Sequence, residues 1–491
     1  MSIGTPHIDW FALSTILALL AASGVSLLGA VLVPERLRRT FGASVSSLGF
    51  IGGLVASIWL YVDSQHGHAV VSGAFYRDRW TALAQIILCG IGLATTFLSW
   101  EHLGRTDDHI AEFFALLLAS AAGMAFFVGA GNLMTLFLAL EWFSIALYVM
   151  CAIDYKEERS LEAGLKYLIV GSFGSAALLF GSALVYGATG TISFHGIASA
   201  IGSHGLAGDS LLATGIALIV AGLGFKMSAA PFHMWTPDVY EGAPTPVTAW
   251  MSAATKVAAV VLALRLMRMA FPQEEHLWTV AFAVIAVASL VIGNLAALVQ
   301  TNVKRLLAYS SVSHAGFLLI GLSAGTALGG RAVMYYLIPY SAMAFGSFAI
   351  VAARERELGK PVTLENLAGF GWERPFLGVA MWFFMFGFAG LPLGGGFVGK
   401  FYVLAAAYDH GWAWLVVVGV LATLVSLYYY LGVVRAMYMR GPALVLAGGS
   451  PPRDRMLHVA VGMALAVSVG SLFAVSPLID LARNAASALP F

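Results

Sequence analysis

The sequence predicts an all-α polytopic membrane protein of about fourteen transmembrane helices, two of them discontinuous, built on an inverted-topology repeat. Three observations carry this. The 491 residues are 60% hydrophobic and only 10% charged, with a mean hydropathy of +0.86, and apolar runs repeatedly reach the roughly 18–25 residues that span a bilayer. Two of those runs are interrupted by proline or glycine, each with a lysine beside the interruption. The charged residues inside the runs recur at a nearly constant interval.

The hydrophobic runs place helices near 10–33, 41–62, 80–100, 110–130, 132–153, 164–188, 210–235, 245–270, 277–300, 304–327, 331–353, 374–403, 412–439 and 457–482. The first has no basic stretch before it and further spans follow at once, so it reads as a span and not as a cleaved signal. The longest connections, near 63–79, 189–209, 354–373 and 440–456, are too short to hold a core of their own. The chain therefore divides into N-terminal helices (1–109), a first repeat (110–270), a second repeat (277–439) and a C-terminal helix (457–491).

Loop charge sets the expected orientation. Arg36, Arg38, Arg39, Arg105, Lys156, Arg159, Lys304, Arg305, Arg354, Arg356, Lys360, Arg440, Arg453 and Arg455 fall on one side, which should be cytoplasmic. The opposite loops carry Arg77, Arg79 and Arg331 and little else, which leaves both termini outside. The 236–244 loop is the exception, with Asp238 and Glu241 but no Lys or Arg, and is expected to meet a partner or a path into the membrane.

Several function classes are excluded. A net charge of +1 and a pI near 7.8 give no basic field for nucleic acid. Cys89 and Cys151 lie in separate predicted helices without CxxC spacing, so they frame neither a disulfide nor a metal site and read as packing residues. No Rossmann glycine pattern follows a strand and there is no P-loop, so any redox or nucleotide chemistry sits on another chain.

What remains is charge inside the membrane. The stretch FKMSAAPFHMWTPDVYEGAPTPVTAWMSAATK (225–256) places Lys226, His233 and Lys256 in long apolar runs and breaks the first with Pro231, followed by Pro237, Pro244 and Pro246. A charged side chain at bilayer depth costs at least about 2.5–3.5 kcal/mol, so such residues face a protein interior or a water-filled path. A proline frees a backbone carbonyl that lipid cannot satisfy. Glu141 lies near the middle of the fifth helix, His314 in the tenth and Lys400 in the twelfth, where GLPLGGGFVGKF holds Pro392 and the run Gly394 to Gly396. The interval from Glu141 to Lys226 is one residue shorter than that from His314 to Lys400, and an offset of five helices reverses direction in the membrane.

These residue types suit a charge relay. Desolvation disfavours a lysine's charged form and a nearby carboxylate favours it, so moving one relative to the other loads and unloads a proton. Glu141 and Lys226 form a candidate switchable pair, and His233 or His314 can carry protons between distant lysines. Structural readings stand beside these. Glu141 and Lys226 could form a plain ion pair, His314 a hydrogen-bonded core histidine, and His233 a cap on freed carbonyls. Snorkelling suits Lys166 near a helix end but fits Lys256 at mid-helix poorly. Arg265, Arg268, Lys304 and Arg305 sit at helix ends and are read as interface markers. The tyrosines at 428–430 are given no special role.

The stretches EWFSIALYVMCAIDYKEERSLEAGLKYLIVGSFGSAALLFGSALVYGATGT (141–191), FKMSAAPFHMWTPDVYEGAPTPVTAWMSAATK (225–256), QTNVKRLLAYSSVSHAGF (300–317) and GLPLGGGFVGKF (390–401) resemble the subunit N family of bacterial NADH:quinone oxidoreductase, respiratory complex I. The likeness runs through most of the chain and is weakest in the first hundred residues. The FK…PFHxWxPDxYxGAPxxV pattern is shared by the wider antiporter-like family, including the sister subunits L and M and Mrp-type cation/proton antiporter subunits. SLEAGLKY with GATGT points to N; subunit L would be expected to carry a long lateral helix after its core, and this sequence stops soon after the fourteenth span.

The resemblance implies that Glu141 and Lys226 form a coupling pair, that Lys256 is the central proton carrier, and that Lys400 serves the outer half-channel. It also implies that this chain binds no cofactor, with FMN, iron–sulfur clusters and quinone in partner subunits, and that it sits among the other membrane subunits of the complex in the bacterial inner membrane. One departure is that Pro392 is followed by Leu393 where the family often has a second proline. Two alternatives remain at this stage: an Mrp-type antiporter subunit driven by ion gradients, and an inert spacer whose lysines can be neutralised without effect.

Overall fold

The computed structural model describes residues 8–64, 67–102, 110–441 and 454–491. Arg105 and Arg453, used above for orientation, lie outside the described residues. The chain opens with α1 (Ser14–Leu32) and α2 (Glu35–Asp63), then α3 (Arg79–His102), α4 (Ile110–Phe127), α5 (Leu133–Cys151) and α6 (Glu158–Thr189). A short α7 (Phe194–His204) precedes the first broken span, α8 (Ser210–Lys226) and α9 (Trp235–Gly242). α10 (Thr245–Ala270), α11 (Glu275–Leu298), α12 (Val303–Ser323) and α13 (Ala327–Leu358) follow. After a single turn, α14 (Phe370–Glu373), the second broken span is α15 (Pro375–Ala389) and α16 (Gly395–Asp409). α17 (Ala413–Met439), α18 (Arg455–Phe473) and α19 (Val475–Ala486) complete the fold.

Twelve helices among the described residues are long and apolar enough to cross a membrane, and the two broken spans bring the total to the expected fourteen. Their ends are marked by local chemistry. Asn132, Asp209, Asn302, Thr326 and Asp454 each accept a hydrogen bond from a first-turn N–H of the helix that follows, which satisfies donors the helix itself leaves free.

The fold is all-α as expected, and the structure adds detail to three stretches. In the connection at 63–79, β1 (His68–Val70) pairs antiparallel with β2 (Phe75–Arg77) in a small hairpin. The 189–209 connection contains α7. The run at 457–482 is two helices, because the backbone turns at Ala474 and a new helix starts with Pro477 in its first turn, where proline costs little.

The inverted repeat is visible in the caps. Asn132 bridges to Ser193 and Asn302 bridges to Thr363. Around the first bridge Leu133 N–H donates to the Ile192 carbonyl, and around the second Val303 N–H donates to the Val362 carbonyl. α6 and α13 each run 32 residues and each is closed by a left-handed glycine, Gly190 or Gly359, the residue that pays least for positive φ. The first set belongs to the fifth and sixth spans and the second to the tenth and eleventh, so the two sets lie on opposite sides of the bundle.

α10, α12 and α13 form its centre and are buried nearly all round. α1, α6 and α17 instead turn residues such as Leu28, Phe173 and Leu424 outward, the surface a lipid environment requires. At one end of the bundle the basic residues find acids: Arg305 pairs with Asp238 and Glu241, Lys166 with Glu162 and Asp238, Arg354 with Glu373, and Arg356 with Asp454. The acidic 236–244 segment is thus met by this chain's own Lys166 and Arg305.

Arg265 is not an interface marker. It is fully buried, with Nη1 and Nη2 donating to the two Asp78 carboxylate oxygens at 2.7 and 2.8 Å and Nη2 also to Thr81 Oγ1 at 2.8 Å. This fork ties the start of α3 to α10. Removing one member strands a buried charge, at a cost of about 3–5 kcal/mol. Asp78→Asn or Arg265→Met is therefore expected to lower the melting temperature of the detergent-solubilised protein. The double variant Asp78→Leu/Arg265→Met should recover most of the loss, and single variants that melt like the wild type would contradict this role.

Candidate functional site

The first broken span is held by side chains and the second by glycine packing. At the first, the α8 backbone ends at Lys226 and Ser228 adopts a φ of 61°. The Ala230 N–H donates to Ser289 Oγ at 2.8 Å, and Trp235 Nε1 donates to the Phe225 carbonyl at 3.2 Å. Peptide groups released by the break are thereby satisfied inside the protein, as a bilayer demands. At the second, Gly390 has a φ of 77°, and a Cβ there would lie 3.1 Å from Lys400 Cδ. Gly396 packs so closely that a Cβ would meet the Gly387 carbonyl oxygen at 2.4 Å. The glycine run is thus what lets α15 and α16 approach across the break.

Lys226 is buried at the end of α8 and donates to Ser144 Oγ at 2.7 Å. Ser144 lies one turn beyond Glu141 on α5 and passes its own hydrogen bond to the Leu140 carbonyl. The rings of Phe143, Tyr167, Tyr148 and Phe225 surround the ammonium with centroids 5.1–5.8 Å away. Glu141 is only partly buried, and its Oε1 has no hydrogen-bond partner. The two expected partners therefore share a neighbourhood, but among the described residues no ion pair joins them.

Lys256 sits at the middle of α10, where its ammonium donates to the carbonyl and the hydroxyl of Ser311, both at 2.5 Å. It also faces the Tyr340 ring at 5.5 Å. Ser311 Oγ is 3.0 Å from Tyr340 Oη. His314, one turn along α12, is held at both nitrogens: Nδ1 lies 2.6 Å from Tyr336 Oη and Nε2 3.0 Å from Tyr430 Oη. Lys400, on α16, is buried with no hydrogen-bond partner for its Nζ, which rests over the face of Phe317 at 4.4 Å. His233 stands apart, half-buried beside Tyr309 with an unpartnered Nδ1, and among the described residues joins no chain of hydrogen bonds to the lysines. Among the described residues no three His, Cys, Asp or Glu side chains gather to hold a metal ion.

Sequence reasoning missed several polar residues. Tyr429 and Tyr430, given no role, are buried, the first bonded to Asn294 and the second to His314 and Ser310. Three consecutive tyrosines on one helix cannot all face lipid, and Tyr428, the exposed one, takes that side. Lys304 is buried as well, donating to the Ala243 carbonyl and to Thr245 Oγ1. Lys166, by contrast, is at the surface.

A fourteen-span bundle with two broken helices and buried lysines beside the breaks defines an antiporter-like membrane subunit. The family described as NADH:quinone oxidoreductase/Mrp antiporter, TM matches residues 130–426. NADH-quinone oxidoreductase subunit N of Salinibacter ruber is 41% identical over 87% of this chain and 86% of the relative, and that of Trichlorobacter lovleyi is 40% identical over 84% and 83%. A chain of respiratory complex I from Thermus thermophilus, solved with bound aureothin, superimposes with a TM-score of 0.79 at 31% identity, covering 96% of this chain and 99% of that one. A chain of the Mrp complex from a Dietzia species superimposes with a TM-score of 0.84 at 22% identity, covering 98% and 97%, which is a likeness of fold alone. The chain belongs to the antiporter-like family of membrane subunits, and within it to subunit N of NADH-quinone oxidoreductase.

Gly390 offers a direct check on the second break. A side chain at a left-handed position costs about 1–2 kcal/mol from the backbone alone, and here it also pushes on Lys400. Gly390→Val is expected to lower the melting temperature clearly, whereas Gly432→Ala, where a Cβ meets nothing within 4 Å, should leave it unchanged or raised. Equal behaviour of the two would show that the break does not depend on glycine.

Proposed function

We propose that this chain is a proton-translocating membrane subunit of an NADH:quinone oxidoreductase, contributing to that translocase without a redox site of its own. The observation that carries this reading is the set of buried bases Lys226, Lys256, His314 and Lys400, beside two broken helices, in a chain whose relatives are subunit N. Such residues are expensive at bilayer depth and are retained where charge moves.

In this reading Glu141 and Lys226 are the coupling pair. Ser144 holds Lys226 away from the carboxylate, and a shift of charge in the neighbouring subunit changes that balance. Lys256 is the central carrier, His314 relays between Lys256 and Lys400, and Lys400 delivers to the outer half-channel. His233 is a relay beside the first break. The repeats at 110–270 and 277–439 each supply one half-channel, flanked by 1–109 and 457–491. NADH oxidation on FMN, electron transfer through iron–sulfur clusters and quinone reduction take place in partner subunits. The neighbours are antiporter-like and small membrane subunits, with the peripheral arm acting through them. The protein lies in the bacterial inner membrane with both termini periplasmic, and protons pass from the cytoplasmic to the outer side.

Two measurements test this. A tagged chain solubilised in mild detergent is expected to co-purify with flavin and iron–sulfur subunits and with inhibitor-sensitive NADH:quinone activity. Recovery with polytopic chains alone and no NADH oxidation would favour an ion-gradient antiporter. In the assembled complex, Lys256→Ala should lower proton pumping by at least about 100-fold, the usual scale for losing a positioned proton-transfer group. An unchanged proton-to-electron ratio would remove Lys256 from the path.

A further inference from the structure

Consecutive serines on α12 belong to two different hydrogen-bonded groups. Ser311 receives Lys256 and contacts Tyr340. Ser310 Oγ is hydrogen-bonded to Tyr430 Oη, which reaches His314 Nε2. Among the described residues no hydrogen bond joins the Lys256 group to the His314 group. Both serines nevertheless line one small cavity, together with Ser252, Tyr340 and Ser347 and an apolar wall that includes Phe388.

Two features say what this cavity holds. About 10 Å³ of it is open to the centre of a water molecule, against the roughly 10–15 Å³ that one water needs. Ser347, on α13, is fully buried, and its Oγ has no partner within the protein. A buried water typically makes about three hydrogen bonds. Ser347 is the unsatisfied hydroxyl here, and Ser310 and Ser311, already bonded to Tyr430 and to Lys256 and Tyr340, each keep room for one more, since a hydroxyl has one donor and two acceptor positions. Most of the exposed lining is apolar, and what sets this cavity apart from one that stays dry is the unpartnered Ser347 hydroxyl among its lining residues.

We propose that the cavity is a binding site for a single water, positioned by Ser347, that joins Ser311 to Ser310 and so completes a proton wire from Lys256 to His314. The inference rests on the proton-translocation reading above. The Lys256 ammonium gives a proton to Ser311 Oγ as the Ser311 hydroxyl proton passes to the water. A water proton passes to Ser310 Oγ, the Ser310 proton to Tyr430 Oη, and the phenol proton to His314 Nε2. Each oxygen gives one proton and takes one, so Lys256 ends neutral and His314 ends as imidazolium. The step uses the His314 tautomer in which Nδ1 donates to Tyr336. Ser347 touches none of the transferring groups except the water and is a positioning residue.

The intact complex provides the test. In a wild-type structure that resolves ordered buried waters, one water is expected within hydrogen-bond distance of the Ser310, Ser311 and Ser347 hydroxyls, and a cavity without density in such a map overturns the site. In proteoliposomes, Ser347→Val, which replaces the hydroxyl and occupies the water's place, should reduce proton pumping about tenfold or more. Ser347→Ala keeps the space and should lose less, while its solvent deuterium isotope effect on turnover rises above wild type, a change that a purely structural serine would not produce. Normal pumping and an unchanged isotope effect in Ser347→Ala overturn the wire, whether or not Ser347→Val assembles. Lys256→Ala run in parallel separates the two levels. If it pumps normally, Lys256 leaves the proposed path and the wire falls with it; if it is inactive while the Ser347 variants are normal, only the water site falls.

Discussion

A bilayer offers no water to a peptide group released from a helix, nor to a charge placed at its centre, and the fold is organised by that constraint. Each interruption of a span sits beside a lysine, and each is compensated from inside the protein. Ser289 and Trp235 take up the backbone of the first break. Glycine packing closes the second, where no side chain could fit between α15 and α16. The lysines in turn occupy distinct settings. Lys226 has a hydroxyl among aromatic rings, Lys256 has a serine hydroxyl and carbonyl, and Lys400 has only a ring face. Three side chains of one chemical type are therefore held in three different surroundings, which in the proposed translocation would grade the path of a proton moving among them.

The same logic explains which helices lie at the centre. α10 carries Lys256, Arg265 and Arg268, and a helix with three buried cations can be placed only where protein surrounds it. α12 and α13 supply that surround with Ser311, His314, Tyr336 and Tyr340. Helices without interior charges, such as α1 and α6, are free to meet lipid. The inverted repeat gives each of its two units one broken span, with α9 of the first packed on α12 and α15 and α16 of the second packed on α13.

Much of this was legible because apolar sequence makes any charge conspicuous. Glu141, Lys226, Lys256, His314 and Lys400 stand out from their runs without structural help, and Pro231 and the Gly394–Gly396 run announce the breaks. The hydroxyl partners were not legible, since Ser311, Ser347 or Tyr430 in a membrane helix is unremarkable until its face is known. The Asp78–Arg265 fork was hidden for a related reason: each residue lies near a helix end, where a charge is normally solvated, and only tertiary packing shows both to be buried. The hairpin at 68–77 and the turn at Ala474 depend on a few residues each. Pro477 could have signalled the second, as a proline that begins a helix.

The Asp78–Arg265 fork also bears on how the chain is assembled. Asp78 is synthesised before α3, whereas Arg265 arrives only near the end of the eighth span. The two residues are 187 positions apart in sequence, so this bond can form only once eight spans have been made, and it fastens the beginning of the third span to the last-made part of the central helix.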